Sequence, residues 1–176
     1  VIGQALQQPF FTEMRTNQQL GYIVWSYTRS RDETHYLSFV IQSGAFTADD
    51  LNQRADDFIA STPELLAAID DETFQQLKES AIEKLEKKPM SISERAYKLK
   101  TFIFEHDADF QRDQKTIAAL ETLQQSSTIE LLSKTIGTDT RRMVNFLMFA
   151  EQHENKTGVK STFNELKTWK ASRSYK

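Results

Sequence analysis

The chain has 176 residues, 39% of them hydrophobic and 11% aromatic, which is enough apolar material for the core of one ordinary domain. A net charge of -3 at pH 7 gives no electrostatic reason to bind nucleic acid or an anionic membrane, so neither partner is expected. Because the chain contains no cysteine, it has no disulfide, thiolate nucleophile or cysteine-based zinc site, and the cytosol and the periplasm are both compatible compartments.

The first 21 residues predict a helix. Apolar side chains recur there at a spacing of four, at Ile2, Leu6, Phe10 and Met14. This spacing places them near one helical face. Pro9 falls inside the pattern and is expected to kink the helix or to begin its second part, and Gly21 is expected to stop it just before Tyr22.

A β-hairpin is predicted next. The stretches from Tyr22 to Tyr27 and from His35 to Ile41 are rich in β-branched and aromatic residues, and polar residues 30–33 separate them. Along the predicted strands, apolar residues occur on both faces of the hairpin. We therefore expect helices to cover one face of a larger sheet.

Two helices are predicted between residues 47 and 89. Thr47 followed by Asp50 has the pattern of a helix start, because a threonine hydroxyl accepts free amide hydrogens and an acid suits the first turn. Four apolar residues of this helix are expected to face the core: Leu51, Ala55, Phe58 and Ile59. A second helix is predicted from about Asp71, and Pro89 is expected to stop it.

Three more helices are predicted before residue 138. Ser91 with Glu94 forms a capping-box pattern. The helix that it opens is expected to bury Ala96, Leu99 and either Phe102 or Phe104. Further helices are predicted over Arg112–Leu123 and from Ser127 to a stop near Gly137.

The run Arg142–Ala150, RMVNFLMFA, is predicted to be a central β-strand, because it is strongly apolar and short. A helix, a hairpin, several helices and a strand in this order predict an α+β fold, with helices packed on one face of a mainly antiparallel sheet. Such a sheet needs more strands than these. We expect the domain to lack its first strands, with the missing ones before Val1 or in the terminal segment.

The composition divides the chain into a domain at residues 1–154 and a basic segment at 155–176. The segment contains six basic residues and one acid, a net charge of +5, so the remainder carries -8 of the total of -3. A solvated terminus is the simpler interpretation. The alternative is that the segment docks onto an acidic neighbouring surface, which Phe163 and Trp169 would favour.

A search for catalytic patterns excludes several classes of enzyme. The three histidines, His35, His106 and His153, are too far apart in sequence to form a helical zinc motif, so we expect neither a metal ion nor another cofactor in this chain. No glycine-rich phosphate loop and no serine nucleophile elbow is present.

The stretch RTNQQLGYIV contains the candidate site residues Arg15 and Tyr22, which are seven positions apart. Arginine has a permanent charge and a planar set of donors, and a tyrosine hydroxyl can donate to a carbonyl or to the oxyanion that it becomes. The turn at Gly21 could bring both to one edge of a cleft. Alternatively, Arg15 binds carbonyls at its helix end and Tyr22 packs in the sheet, and physical arguments alone favour this structural role.

The run FFTEMRTNQQLGYIVWS resembles a motif of the insulin-degrading-enzyme and pitrilysin family of zinc metalloproteases, the inverzincins. In that motif an Arg-Thr pair is followed closely by Gln-Leu-Gly-Tyr. The likeness continues through LSFVIQS, FQQLKESAIEKLEKKP and HDADFQRDQKTIAAL, so it covers roughly residues 1–150. Physical arguments alone favour a structural role for Arg15 and Tyr22, but this distinctive motif favours a functional role.

This resemblance implies the fourth, C-terminal domain of a protein built from four homologous α+β domains of the pitrilysin and mitochondrial processing peptidase type. In the family these domains form two halves that close over a peptide, and the zinc motif is in the N-terminal half. The resemblance therefore implies that Arg15 and Tyr22 contact the peptide and stabilise the tetrahedral intermediate, and that this chain alone is inactive.

The expected partners are the N-terminal domains of the same polypeptide and peptide substrates, and a homodimer is compatible with the resemblance. An alternative function is a catalytically inert structural or protein-interaction domain, in a related protein whose first domain has lost the zinc motif. Bacterial relatives favour the periplasm weakly, with the cytoplasm as the alternative.

Overall fold

The computed structural model describes residues 1–31, 34–136, 140–153, 167–168 and 170–172. In chain order its elements are α1 (Ile2–Phe11), a π-helical segment (Thr12–Asn17), β1 (Ile23–Arg31), β2 (Thr34–Gln42), α2 (Ala48–Ala67), α3 (Asp71–Glu86), α4 (Ile92–Glu105), α5 (Arg112–Thr122) and α6 (Gln125–Ile136). The predicted α+β fold is confirmed, together with the hairpin and the helices that follow it. The predicted stop at Gly137 and most of the basic segment 155–176 lie outside the described residues.

The hairpin packs against α1 on one face. Its strands are antiparallel, in a register that runs from Ile23 opposite Gln42 to Arg31 opposite Thr34. Val24 and Ser26 are buried, whereas Trp25, on the opposite face, is 48% exposed. Within the described residues the sheet consists of these two strands.

Two apolar clusters form the core. In the first, Phe10, Phe39 and Phe58 contact one another with ring centroids 4.7, 5.1 and 5.9 Å apart. These distances are typical of favourable aromatic pairs, so α1, β2 and α2 are held together by ring contacts. The second cluster joins α1, α2 and α6 through the buried side chains of Leu6, Leu66 and Leu132.

The predicted helix starts at Thr47 and Ser91 are confirmed. The Thr47 hydroxyl accepts a hydrogen bond from the Asp50 N–H at 3.2 Å, and the Ser91 hydroxyl accepts one from the Glu94 N–H at 3.1 Å. The Glu94 carboxylate in turn accepts from the Met90 N–H at 2.7 Å. Such caps each contribute about 1 kcal/mol to helix stability.

The predicted end of the first helix at Gly21 is wrong. The helical stretch ends at Asn17, and the residue with positive φ is Gln19, at 52°. The turn is closed by the Leu20 N–H, which donates to the Met14 carbonyl at 2.9 Å. Gly21 is required for another reason: a Cβ atom there would lie 2.0 Å from the carbonyl oxygen of Gln42.

The predicted burial of α4 is wrong at two positions. Ala96 and Leu99 are exposed, and of the two phenylalanines Phe102 is buried while Phe104 is 76% exposed. The physical reason is that α4 contacts its neighbours through one narrow side, where Phe102 meets the ring of Phe110 at 6.2 Å.

The predicted strand over residues 142–150 is also wrong. This segment follows Arg141, which forms a salt bridge with Asp56 of α2 at 3.3 Å. Within it, Asn145 donates to the Asn52 side chain at 2.7 Å, and Phe146 is 87% exposed. A strand needs a neighbour for its N–H and C=O groups, and no described residue pairs with this segment.

We predict that Gly21→Ala lowers the free energy of unfolding by about 1–3 kcal/mol, because the new methyl group would collide with the backbone of Gln42. The matched control is Gly44→Ala, where an added Cβ has no neighbour within 4 Å and the change should stay within about 0.5 kcal/mol. Urea unfolding curves of both variants test this. Equal stabilities would contradict the role given to Gly21.

Candidate functional site

Arg15 lies in the π-helical segment between α1 and β1. In this segment the Gln18 N–H donates to the Glu13 carbonyl at 2.9 Å, five residues back rather than the four of an α-helix. Short π-helical segments are frequent at functional sites, where the wider turn changes the direction of side chains.

The structure brings Arg15 and Tyr22 together. The guanidinium carbon of Arg15 lies 4.7 Å from the centroid of the Tyr22 ring and 5.2 Å from that of Phe11. The same guanidinium donates a hydrogen bond to the backbone carbonyl of Tyr22 at 3.1 Å. We call this arrangement of Phe11, Arg15 and Tyr22 the stack. Each cation–π contact contributes about 0.5–1 kcal/mol at an exposed site.

Phe11 is a member of the stack that was not among the predicted site residues. Its position four residues before Arg15 is a signal that was available, because helical residues at this spacing are neighbours on one face.

The side chain of Tyr22 is 80% exposed. A purely structural role predicts a ring packed in the sheet and an arginine bonded to carbonyls at its helix end. The exposure of Tyr22 does not fit that alternative. Arg15 does bind a carbonyl, although the carbonyl belongs to Tyr22 at the start of the hairpin. The backbone of Tyr22 is therefore held in place while its ring faces outwards.

Several other residues of the motif have structural roles. Leu20 is 1% exposed and belongs to the core cluster of Phe10 and Met14. Gly21 permits the close approach to Gln42. These contacts explain why the chain needs a leucine and a glycine here, whereas they leave the ring of Tyr22 without a role in packing.

A network of side chains fixes the end of the π-helical segment. The Glu13 carboxylate accepts hydrogen bonds from Gln18 at 2.8 Å and from Asn17 at 2.7 Å. Gln18 also accepts from Arg54 of α2 at 2.7 Å. The Gln18 bond and then the Asn17 bond hold the pKa of Glu13 below its usual range.

We predict that the Glu13 network stabilises the fold above pH about 4.3, the usual pKa of an unfolded glutamate. Because the pKa of Glu13 is lowered in the folded state, this contribution is lost as the pH falls through the folded pKa. NMR titration of the Glu13 carboxyl in wild type and Gln18→Ala measures the shift, and its pKa should rise in the variant.

The control for this titration is Glu130, whose pKa is lowered by a hydrogen bond from Lys134 and then by the charge of Lys134, in a different part of the chain. Its titration should be the same in both proteins. A Glu13 that titrates at its ordinary pKa in wild type would show that the network does not hold the carboxylate.

Two of the three histidines lie on β2 and at the end of α4. His35 lies on β2 with its Nδ1 atom 2.7 Å from the Ser30 hydroxyl, and His106 follows the last residue of α4. The position of His35 agrees with the predicted second strand of the hairpin. In the part of the chain that the structure describes, no three His, Cys, Asp or Glu side chains gather to hold a metal ion. Nor does any described helix have the length and apolar character to cross a bilayer.

Comparison with solved structures identifies the class of fold. A crystal structure of pitrilysin matches with a TM-score of 0.68 and 24% sequence identity, over 76% of this chain and 14% of that one. The arrangement of helices and hairpin is therefore that of an α+β domain of a pitrilysin-type protein.

Comparison with known sequences gives relatives with peptidase names. Insulin-degrading enzyme of Homo sapiens is 30% identical over 140 residues, which are 79% of this chain and 14% of that protein. Nardilysin-like of Arabidopsis thaliana is 34% identical over 92 residues, 52% of this chain and 9% of that protein. Protease 3 of Escherichia coli strain K12 is 26% identical over 123 residues, 70% of this chain and 13% of that protein.

Residues 1–100 match the family described as PQQ synthase PqqF-like, C-terminal lobe domain 4. The chain therefore belongs to the insulin-degrading-enzyme and pitrilysin family, as a C-terminal domain of that family. It spans about one seventh of the length of the human relative.

Proposed function

We propose that this domain helps to enclose a peptide in a zinc metalloendopeptidase, and that Arg15 and Tyr22 contact the peptide near the bond that is cut. The observation that carries the proposal is the exposed ring of Tyr22, held by the guanidinium of Arg15 at 4.7 Å. An exposed tyrosine whose backbone is fixed is suited to contact a molecule outside the domain.

In this proposal the chemistry is divided between two parts of the protein. The described residues of this chain gather no group of metal ligands. The resemblance implies that the zinc would be bound in the N-terminal half of the polypeptide. When bound there, it would polarise the carbonyl and supply the attacking water together with a glutamate base.

The residues of this chain would act on the charge that develops on the peptide. The Tyr22 hydroxyl would donate to the carbonyl oxygen as it becomes an oxyanion, and the positive charge of Arg15 would stabilise the negative charge of that oxyanion. Donors placed in this way typically contribute about 10²-fold in rate. The Phe11 and Tyr22 rings restrict the guanidinium, so little side-chain freedom would be lost on binding.

Exposed apolar surface supports the further proposal that other domains of the same polypeptide cover this one. On α4, Ile92 is 90% and Phe104 76% exposed, and in the segment 142–150 Met148 is 89% exposed. Large exposed apolar patches mark interaction sites. A homodimer would also cover such surface. Periplasmic localisation stays a prediction.

The alternative function is an inert interaction domain. The Arg15 bond to the Tyr22 carbonyl favours it, because that bond is a structural use of the arginine. Peptide hydrolysis distinguishes the two functions.

We predict that Arg15→Ala and Tyr22→Phe each lower kcat/KM of the complete protein by tenfold or more, which corresponds to about 1.4 kcal/mol of transition-state stabilisation. The Tyr22→Phe effect should lie in kcat, since the ring and its stacking are retained and only the donor is lost. The measurement is hydrolysis of a fluorogenic peptide in the presence of zinc, with thermal unfolding as the check on folding.

The matched control is Arg29→Ala, which removes the same charge from a guanidinium 5.8 Å from the Tyr27 ring on β1. It should leave kcat within about twofold of wild type. If the Arg15 and Tyr22 variants cut as well as wild type, or if the complete protein cuts no peptide, the inert interaction domain is the correct function.

A further inference from the structure

The Glu13 network, which consists of Glu13, Asn17, Gln18 and Arg54, joins α2 to the π-helical segment that contains Arg15. Arg54 donates to the side-chain oxygen of Gln18 at 2.7 Å, and the Gln18 amide donates to one carboxylate oxygen of Glu13 at 2.8 Å. The other carboxylate oxygen of Glu13 accepts from Asn17 at 2.7 Å. The network therefore ties together residues on both sides of Arg15 in the sequence and fixes them to α2.

The position of Gln18 in this network requires an amide. Its oxygen accepts from a guanidinium while its nitrogen donates to a carboxylate. A glutamate has nearly the same size and would still accept from Arg54, but it would have no donor for Glu13. Gln18→Glu would also place two carboxylates against each other. The network can therefore be broken by changing one donor, with little change in packing.

Arg54 is a fixed anchor for the network. The guanidinium carbon of Arg54 lies 5.0 Å from the centroid of the Phe46 ring. Phe46 in turn packs against the core cluster that contains Phe10 and Phe58. A group whose own position is restricted by packing can hold its partner in one geometry. The end of the π-helical segment is thus connected to the core of the domain through Arg54.

The backbone directly after Gln18 is strained. Gln19 has a φ of 52°, a left-handed conformation that is unfavourable for a residue with a Cβ atom. Such a conformation persists where the surrounding structure holds it in place. Here the side-chain bonds of Gln18 hold one side of Gln19, and the bond from the Leu20 N–H to the Met14 carbonyl at 2.9 Å holds the other. Loss of the Gln18 bonds would allow this turn to relax.

The shape of this turn decides whether Arg15 meets Tyr22. Arg15 precedes the turn and Tyr22 follows it, and the guanidinium of Arg15 donates to the Tyr22 carbonyl at 3.1 Å. The same guanidinium lies 4.7 Å from the centroid of the Tyr22 ring. A misplacement of about 1 Å at a catalytic group can lower a rate by about 10²-fold. Residues that fix the turn can therefore control the stack without contacting it.

We propose that Gln18 and Arg54 are positioning residues for Arg15. They hold the turn of the π-helical segment so that the guanidinium of Arg15 stays against Tyr22 and can act on a bound peptide. The inference deepens the proposed function and rests on it, because it concerns the same two contact residues. It adds a part of the site that lies on α2, about 40 residues further along the chain.

Chemical modification of Arg15 tests the positioning without any measurement of activity. The complete protein is treated with phenylglyoxal, which reacts with guanidinium groups, and mass spectrometry of peptide fragments gives the rate at each arginine. We expect Arg15 to react at least threefold faster in Gln18→Glu and in Arg54→Ala than in wild type, because its contacts with the two rings and the carbonyl are loosened.

Arg29 is the internal control for this experiment. It lies beside the Tyr27 ring on β1, outside the Glu13 network, and its rate of modification should be the same in all three proteins. An unchanged rate at Arg15 would overturn the proposal. So would an equal rise at Arg29, because that result would mean that the substitutions loosen the whole domain rather than the turn.

Peptide hydrolysis by the complete protein tests the effect on the reaction. Gln18→Glu should lower kcat at least fivefold. The matched control is Gln53→Glu, because Gln53 donates to the Asp57 carboxylate at 2.9 Å and loses the same kind of bond on α2. The control should keep kcat within about twofold of wild type. Equal losses in the two variants would contradict a specific role of Gln18.

A double-mutant cycle tests whether Gln18 acts through Arg15. In a protein that already contains Arg15→Ala, Gln18→Glu should lower kcat by less than about twofold, because the group that it positions is gone. A residue that only stabilises the fold would cause the same loss in both backgrounds. That result would overturn the positioning role.

Exchange of donor and acceptor provides the rescue. In the double variant Glu13→Gln with Gln18→Glu, the amide at position 13 would donate to the carboxylate at position 18, which would still accept from Arg54. The net charge is unchanged. We expect kcat within about twofold of wild type and an Arg15 that reacts with phenylglyoxal at the wild-type rate. A double variant as impaired as Gln18→Glu alone would contradict the proposal.

The two proposals fail in different ways. If Arg15 reacts faster in Gln18→Glu while Arg15→Ala cuts peptide like wild type, the positioning of Arg15 stands and the proposed function fails. If Arg15→Ala loses activity while Gln18→Glu changes neither the rate of modification nor kcat, the proposed function stands and the positioning role fails.

Discussion

The close approach between Gly21 and the end of β2 is the constraint on which the site depends. With a carbonyl oxygen where a Cβ atom would be, β1 can begin directly beside the last residue of β2. Leu20 is then buried next to Phe10 and Met14, and the next side chain but one, that of Tyr22, is directed outwards. The same turn brings Tyr22 back beside Arg15. The stack is therefore a consequence of how the helix joins the hairpin.

The motif combines two kinds of residue that look alike in a sequence. Leu20 and Gly21 are needed for folding, since one fills the core and the other avoids a backbone collision. Tyr22 is next to them and fills no space in the core. Arg15 has both roles, because its donor fixes the hairpin backbone while its charge lies against an exposed ring. Because the ring of Tyr22 is not needed in the core and the charge of Arg15 lies beside it, these two residues are candidates for peptide contact.

Local signals in the sequence predicted much of the fold. Hydroxyl caps at Thr47 and Ser91 and the alternation of the hairpin depend on neighbouring residues, so they are visible in the sequence. The helix end at Asn17 could not be predicted from Gly21. A glycine can be required for a left-handed backbone or for a close backbone contact, and the sequence does not distinguish these two reasons. The exposure of Leu99 and the unpaired run 142–150 depend on which surfaces meet, and apolar patterns do not contain that information. The spacing of seven across the turn at Gly21 suggested that Arg15 and Tyr22 could lie together, and the family resemblance favoured a functional over a structural role for them.

Photo-cross-linking shows whether Tyr22 contacts a bound peptide. Benzoylphenylalanine would replace Tyr22 in the complete protein, and Tyr36, an exposed aromatic residue on β2, in a control protein. After illumination with a substrate peptide, mass spectrometry locates the cross-link. We expect an adduct from position 22 to peptide residues next to the bond that is cut, and little or none from position 36. Absence of an adduct at position 22, or equal adducts at both positions, would contradict it.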